Sequence, residues 1–154
     1  MKKSEIKAAL DALKEIKMPK IEDKELRNVL INNHFVLLDA GRKVDASAED
    51  ARKVFLEAYK EEQAKIDDLQ RKLRTEDDPQ EQRAITREID SHKDYMDAVK
   101  ALNEKLVKLY DEPVEGLTRI DRARFSEEIQ KQDFKMSWFE GLYPMFVLEK
   151  AKAK

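Results

Sequence analysis

Cysteine is absent from this chain of 154 residues, which removes disulfides and thiolate metal sites and leaves the redox compartment open. Glycine occurs three times and proline four. Three isolated glycines cannot build a loop that cradles phosphate, and Ser137 in "SWFEG" lacks the first glycine of a nucleophile elbow. No run approaches about 18 consecutive apolar residues, so no membrane span is expected. The N-terminus "MKKSEIKAALDALKEIK" starts basic but never becomes an uninterrupted apolar stretch, so it does not read as a secretory signal. A predominance of one charge sign is missing too. Residues 1–46 carry 10 basic and 8 acidic groups, residues 47–110 carry 13 and 16, and residues 111–154 carry 8 and 9. Without a basic face there is no electrostatic footprint for a phosphate backbone, and no nucleic-acid partner is expected.

What remains is charged and rich in Ala, Glu, Lys, Leu and Arg, the composition of long helices, and the length suits a single domain. Ser4 precedes Ile6, Leu10, Leu13 and Ile16, an amphipathic helix that Met18-Pro19 ends. Asp23 stands as a cap before Leu26, Val29, Leu30, Asn33 and Leu37. Gly41 can end that helix, or the helix can run on to Ala46, with Ser47 and Asp50 marking a restart. Residues 1–46 thus form N-terminal helices.

Residues 47–110 carry the clearest pattern. Phe55, Tyr59, Glu62, Ile66, Leu69 and Leu73 alternate steps of four and three. Ile85, Ile89, His92, Met96, Val99, Asn103, Leu106 and Tyr110 do the same after a turn near residues 75–79. Two heptad seams joined by a short turn predict a coiled-coil-like antiparallel helical hairpin, with Pro79 in the first turn of the returning helix. The pairing runs Leu69 with Ile85, Ile66 with Ile89, Glu62 with His92, Tyr59 with Met96 and Phe55 with Val99. Glu62 and His92, the polar positions of the seams, thereby face each other as a structural pair that fixes register.

Residues 111–154 are irregular. "DEPVEGLTRIDRARF" holds Pro113 and Gly116 and reads as an extended segment, with room for one short strand, before short helices near Ser126–Gln132 and from Ser137. The expected fold is therefore mainly all-α. Neither His34 nor His92 has a ligand set around it, so no metal and no cofactor are expected. Arg119, Arg122 and Arg124 are diluted by neighbouring acids and read as partners in internal salt bridges. With no catalytic constellation in view, an enzyme is not expected.

The order of these segments resembles that of small helical phage and prophage proteins of unknown function. In those a Leu-rich first helix leads into a charged helical hairpin, then an "LNE" stretch, here Leu102-Asn103-Glu104, an extended acidic-hydrophobic segment and a terminal helix. Residues 101–125, "ALNEKLVKLYDEPVEGLTRIDRARF", carry most of the likeness, while the aromatic-rich ending departs from the usual aliphatic one. The family has no established site residues to carry over. The resemblance implies a phage-like structural or assembly protein acting through protein contacts, or an adaptor or inhibitor of a host protein. Its partners would then be proteins, itself or a particle component among them, and its location the bacterial cytoplasm or the virion.

The aromatic ending supplies the candidate site. On a helix capped by Ser137, Trp138, Leu142 and Met145 share one face, and Phe139, Tyr143 and Phe146 lie beside it. Together they wrap more than half the helix, too wide for one ordinary contact. One set is expected to pack near Val44, Leu106 and Tyr110 at the base of the hairpin, and the other to form a protein interface. The alternative is that the N-terminal helices close over the whole cluster.

Overall fold

The computed structural model describes residues 1–148. Among them are six helices and no named strand: α1 (Ile6–Glu15), α2 (Lys24–Thr75), α3 (Pro79–Ser91), α4 (Lys93–Asp111), α5 (Arg122–Ile129) and α6 (Met136–Phe146). The architecture is all-α, with a long helical hairpin, a short first helix and an irregular C-terminal part. Contacts divide the chain, expected to be a single domain, into two compact units. One is Met1–Asp45 together with the chain from Leu109 on; the other is Ala46–Lys108.

The first unit is built on α1, the first part of α2, α5 and α6. Asp23 caps α2 by accepting the Leu26 N–H at 3.1 Å. Buried Leu26, Leu30, Asn33 and Leu37 then line one stripe, which continues through Val44 and Ala48 without interruption. The restart expected at Ser47 is therefore absent. A helical glycine costs only about 1 kcal/mol, and the apolar stripe on both sides of Gly41 outweighs it. Ile6, Ala9 and Leu13 of α1, Ile120, Phe125 and Ile129, and Leu142 and Met145 of α6 complete the same core.

Residues 112–121 are extended, yet they find backbone partners one by one. Lys3 N–H donates to Glu112 O at 2.9 Å, and Val114 N–H to Met1 O at 2.8 Å, around an isolated bridge between Lys2 and Pro113. The short strand allowed for by the sequence reduces to that bridge. Gly116 turns the segment with φ of +85°, where a side chain would be strained. Asn33 then holds both polar groups of Thr118, accepting its N–H at 2.9 Å and donating to its O at 2.7 Å. Ile120 N–H donates to Met145 O at 3.1 Å, and Arg119 Nε to Phe146 O at 3.1 Å. These two bonds also satisfy carbonyls at the open C-terminal end of α6.

In the second unit the hairpin turn lies where the sequence places it. Asp78 caps α3 by accepting the Gln80 N–H at 3.0 Å, Pro79 occupies the first turn, and Gln82 Nε2 donates back to Glu76 O at 2.6 Å. Ile66, Leu69, Ile89 and Tyr95 are its buried centre, with Phe55, Tyr59, Ile85 and Val99 packed on it. Each arm departs from helical geometry once, at Tyr59 (φ −126°, ψ 18°) and at His92 (φ −82°, ψ 60°). Neither break has a proline or glycine. At the second, Ser91 Oγ donates to Glu88 O at 2.6 Å and competes with the helix ladder just before the break.

After the break at His92 two of the inward positions move by one residue, while Val99 and Leu106 stay inward as expected. Tyr95 turns inward, its ring centroid 6.0 Å from that of Tyr59 and 5.6 Å from that of Phe55. Met96 turns outward and is 43% exposed, and Leu102 is half-buried where Asn103 was expected. The pairing of Tyr59 with Met96 is thus corrected to Tyr59 with Tyr95. An inward row of Tyr95, Val99, Leu102 and Leu106 also removes an asparagine from the seam, which favours this phase by burial.

Two outcomes check these assignments by denaturant unfolding. Tyr95→Ala should cost about 3 kcal/mol and Met96→Ala under about 1 kcal/mol; equal losses would restore the uncorrected seam. Asn33→Ala should cost about 2 kcal/mol, because it removes two part-buried hydrogen bonds to the Thr118 backbone and leaves a gap at a buried position.

Candidate docking groove

The aromatic ending is mostly core. Trp138, Leu142, Met145 and Phe146 are buried, Phe139 is half-buried, and only Tyr143, at 53%, is exposed. The expectation of an interface formed by a whole face of α6 is corrected: α1 closes over the helix, which is the alternative the sequence left open. The reason is a close approach at Gly141. A Cβ there would lie 2.6 Å from Ala8 O and 3.2 Å from Ala12 Cβ, so the two helices meet backbone to backbone. The helix begins at Met136, not at a Ser137 cap, and Lys135 supplies no side-chain cap bond.

The broad apolar surface of α6 is divided among neighbours. Its first face meets α1, where Trp138 Nε1 donates to Glu15 Oε2 at 2.9 Å. Its second face meets the ring of Phe125: Phe139 stands edge-on to it at 5.3 Å and Phe146 is tilted at 5.4 Å. Phe134 adds an edge contact to Phe139 at 5.9 Å. The indole bond, followed by Lys135 at 3.0 Å, holds the Glu15 carboxyl below its ordinary value.

The Glu62–His92 pair is adjacent but looser than a hydrogen bond, with His92 Nδ1 3.6 Å from Glu62 Oε2. Both side chains are partly exposed, so neither carries the desolvation cost expected of a buried seam pair. Of the basic stretch, only Arg124 forms ion pairs among the described residues, with acids remote in sequence, while Arg119 donates to the Phe146 carbonyl. Arg124 Nη1 meets Glu25 Oε2 at 2.9 Å and its Nε lies 3.6 Å from Asp23 Oδ2. Glu128, buried beside it, accepts the Glu22 N–H at 3.0 Å and pairs with Lys131 at 3.2 Å. That backbone bond first, and then Lys131, hold its carboxyl below the ordinary range.

The surface that emerges instead lies between α1 and α2. Ile6 and Leu10 of α1 and Leu38, Gly41 and Val44 of α2 form the floor of an open groove of about 540 Å³. Tyr110 closes one end, its hydroxyl donating to Asp45 Oδ1 at 2.9 Å. Lys7, Lys14 and Arg42 stand on the rim, and none has an acid within ion-pair distance among the described residues. Lys3, also on the rim, is neutralised by Glu112 at 2.7 Å, and Asp11 is the acid that stands between Lys7 and Lys14 on α1. From Lys3 to Lys14 the groove follows roughly 16 Å of helix, the length of three turns. The signal was present in the sequence as Lys3, Lys7, Leu10 and Lys14 at steps of four, three and four, beside the core row of α1.

Two measurements test this account of the first unit. Gly141→Ala should destabilise by about 2–3 kcal/mol, because backbone at 2.6 Å cannot yield as a flexible side chain would. The lowered carboxyls set a pH dependence. A folded pKa below the unfolded one stabilises fully above the ordinary value of 4.5, and that stability is lost as pH falls through the folded pKa. The stability difference between the wild type and the double variant Glu15→Gln, Glu128→Gln should therefore be full at pH 7 and shrink as pH falls below 4.5 through the folded pKa values. A constant offset across that range would contradict it. Comparison with protein-family models, curated proteins and solved structures finds no match, so the reading of this surface rests on its own chemistry.

Proposed function

We propose that the chain is a non-enzymatic docking protein, in which the groove between α1 and α2 receives an amphipathic helix with acidic flanks. One observation carries this reading: an apolar floor bordered by three cations that form no ion pair among the described residues and outnumber the acids of the same lining, Asp11 and Asp45. A partner helix supplies what each part lacks, apolar residues every three or four positions for the floor and carboxylates for the rim. Among the described residues no three His, Asp or Glu side chains converge to hold a metal ion, and no helix there is long and apolar enough to cross a membrane. In the phage-like setting implied by the order of segments, the partner belongs to a particle under assembly. The alternative partner is a host protein that the chain binds as adaptor or inhibitor.

The test is the triple variant Lys7→Glu, Lys14→Glu, Arg42→Glu, whose changes all fall on exposed side chains. Partners recovered with tagged wild-type chain from its native source should be lost with the variant while the melting temperature stays within a few degrees. Recovery with particles would assign the assembly role, and recovery with one soluble host protein the adaptor role. An unchanged set of partners would remove the groove as the docking surface.

A further inference from the structure

The outer face of α4 in the second unit is a second seam that the hairpin does not use. Met96, Lys100, Asn103 and Val107 repeat at steps of four, three and four, one position out of phase with the inward row of Tyr95, Val99, Leu102 and Leu106. Met96 and Val107 are 43% and 68% exposed, and the face forms a shallow groove of about 720 Å³ lined by α4 alone. We propose that two copies of this chain pair antiparallel along this face, about a two-fold axis beside residues 102 and 103.

The charges on this face select the occupant and its direction. Asp97, Lys100, Glu104 and Lys108 alternate in sign along one flank, and none has an ion-pair partner within the chain among the described residues. The two-fold places the flanks of both copies on the same side, with Asp97 opposite the second copy's Lys108 and Lys100 opposite its Glu104. Every charge then meets its opposite twice over, as an isologous interface requires. A parallel pairing sends the two charged rows to opposite sides and leaves them unpaired. Asn103 falls beside the axis, where one carboxamide can donate to the other and accept from it, a device that fixes register in paired helices. Met96 of each copy meets Val107 of the other.

Three turns of helix per copy cover well under the roughly 800 Å² per partner of a standard stable interface. The pairing therefore belongs to the weak class and depends on concentration.

Sedimentation equilibrium of the full chain from about 10 μM to 1 mM tests the proposal. The apparent mass should rise towards twice the monomer value, and Met96→Glu with Val107→Glu should abolish the rise without lowering the melting temperature. Lys100→Glu alone and Glu104→Lys alone should each weaken association at least fivefold, because each sets like charges face to face. The two changes together should restore it to within about twofold of wild type, a compensation that neither misfolding nor general stickiness produces. A monomer throughout the range, a dimer indifferent to the apolar pair, or single and double swaps of equal effect would each overturn the proposal.

Discussion

Asn33 sits at 1% exposure in the middle of an apolar helical stripe, and both polar groups of its carboxamide bond the backbone of one residue 85 positions away, Thr118, with a further N–H to Met145 Sδ. The geometry is that of a strand pairing reduced to a single residue. An extended segment crossing a helical core has no ladder to join, and each buried N–H or C=O it carries must be met individually. Asn33 meets the N–H and C=O of Thr118, while Met1 and Lys3 bond the segment at its start and Met145 at its end. The position of Ile120 in the core, and therefore of α5 behind it, follows from that crossing. A leucine in the stripe would pack as well but would give up both bonds to Thr118 and with them the anchor of the crossing segment.

The same constraint reaches α6. The carbonyls of Met145 and Phe146 that end this helix are taken up by Ile120 and Arg119, so the crossing segment also terminates the helix that covers it. At its midpoint α6 is set by Gly141, where α1 approaches too closely for any side chain. Between these two restraints the rotation of α6 has little freedom. Trp138 must point at α1, where Glu15 accepts its N–H, and Phe139 and Phe146 must point at Phe125. An apolar surface too wide for one contact is thus served by two neighbours on different sides.

That division explains which parts of the fold were legible in the sequence. Helices that bury one stripe, such as α1, the hairpin arms up to His92 and the Asp78-Pro79 turn, announce themselves through spacing and caps, because the cause lies within a few residues. The fate of α6 does not, since it depends on Ala8 and Phe125, and nothing near Gly141 shows what will face it. The break at His92 was hidden for a related reason. No proline or glycine marks it, only a serine hydroxyl bonding one carbonyl beside it, and a one-residue shift exchanges Met96 for Tyr95. The groove on α1 was written in its lysine spacing, but a row of lysines on a charged helix becomes informative only when the fold sets it beside uncovered apolar side chains.

The fate of the charges separates scaffold from surface in this protein. Where the first unit brings remote segments together, opposite charges meet across the join. Lys2 and Lys3 pair with Asp111 and Glu112, Arg124 with Asp23 and Glu25, Lys131 with Glu22, and Lys135 with Glu15. Each exposed pair adds little to stability by itself, but together they discriminate against wrong neighbours, since a shifted element would set like charges opposite. The rim of the groove and the outer flank of α4 escape this rule while bordering apolar side chains that the fold also leaves uncovered. Exposed charge alone says nothing in a chain that is 42% charged. Charge left unpaired beside exposed apolar surface is different, because water satisfies the first and not the second, and only another protein surface satisfies both.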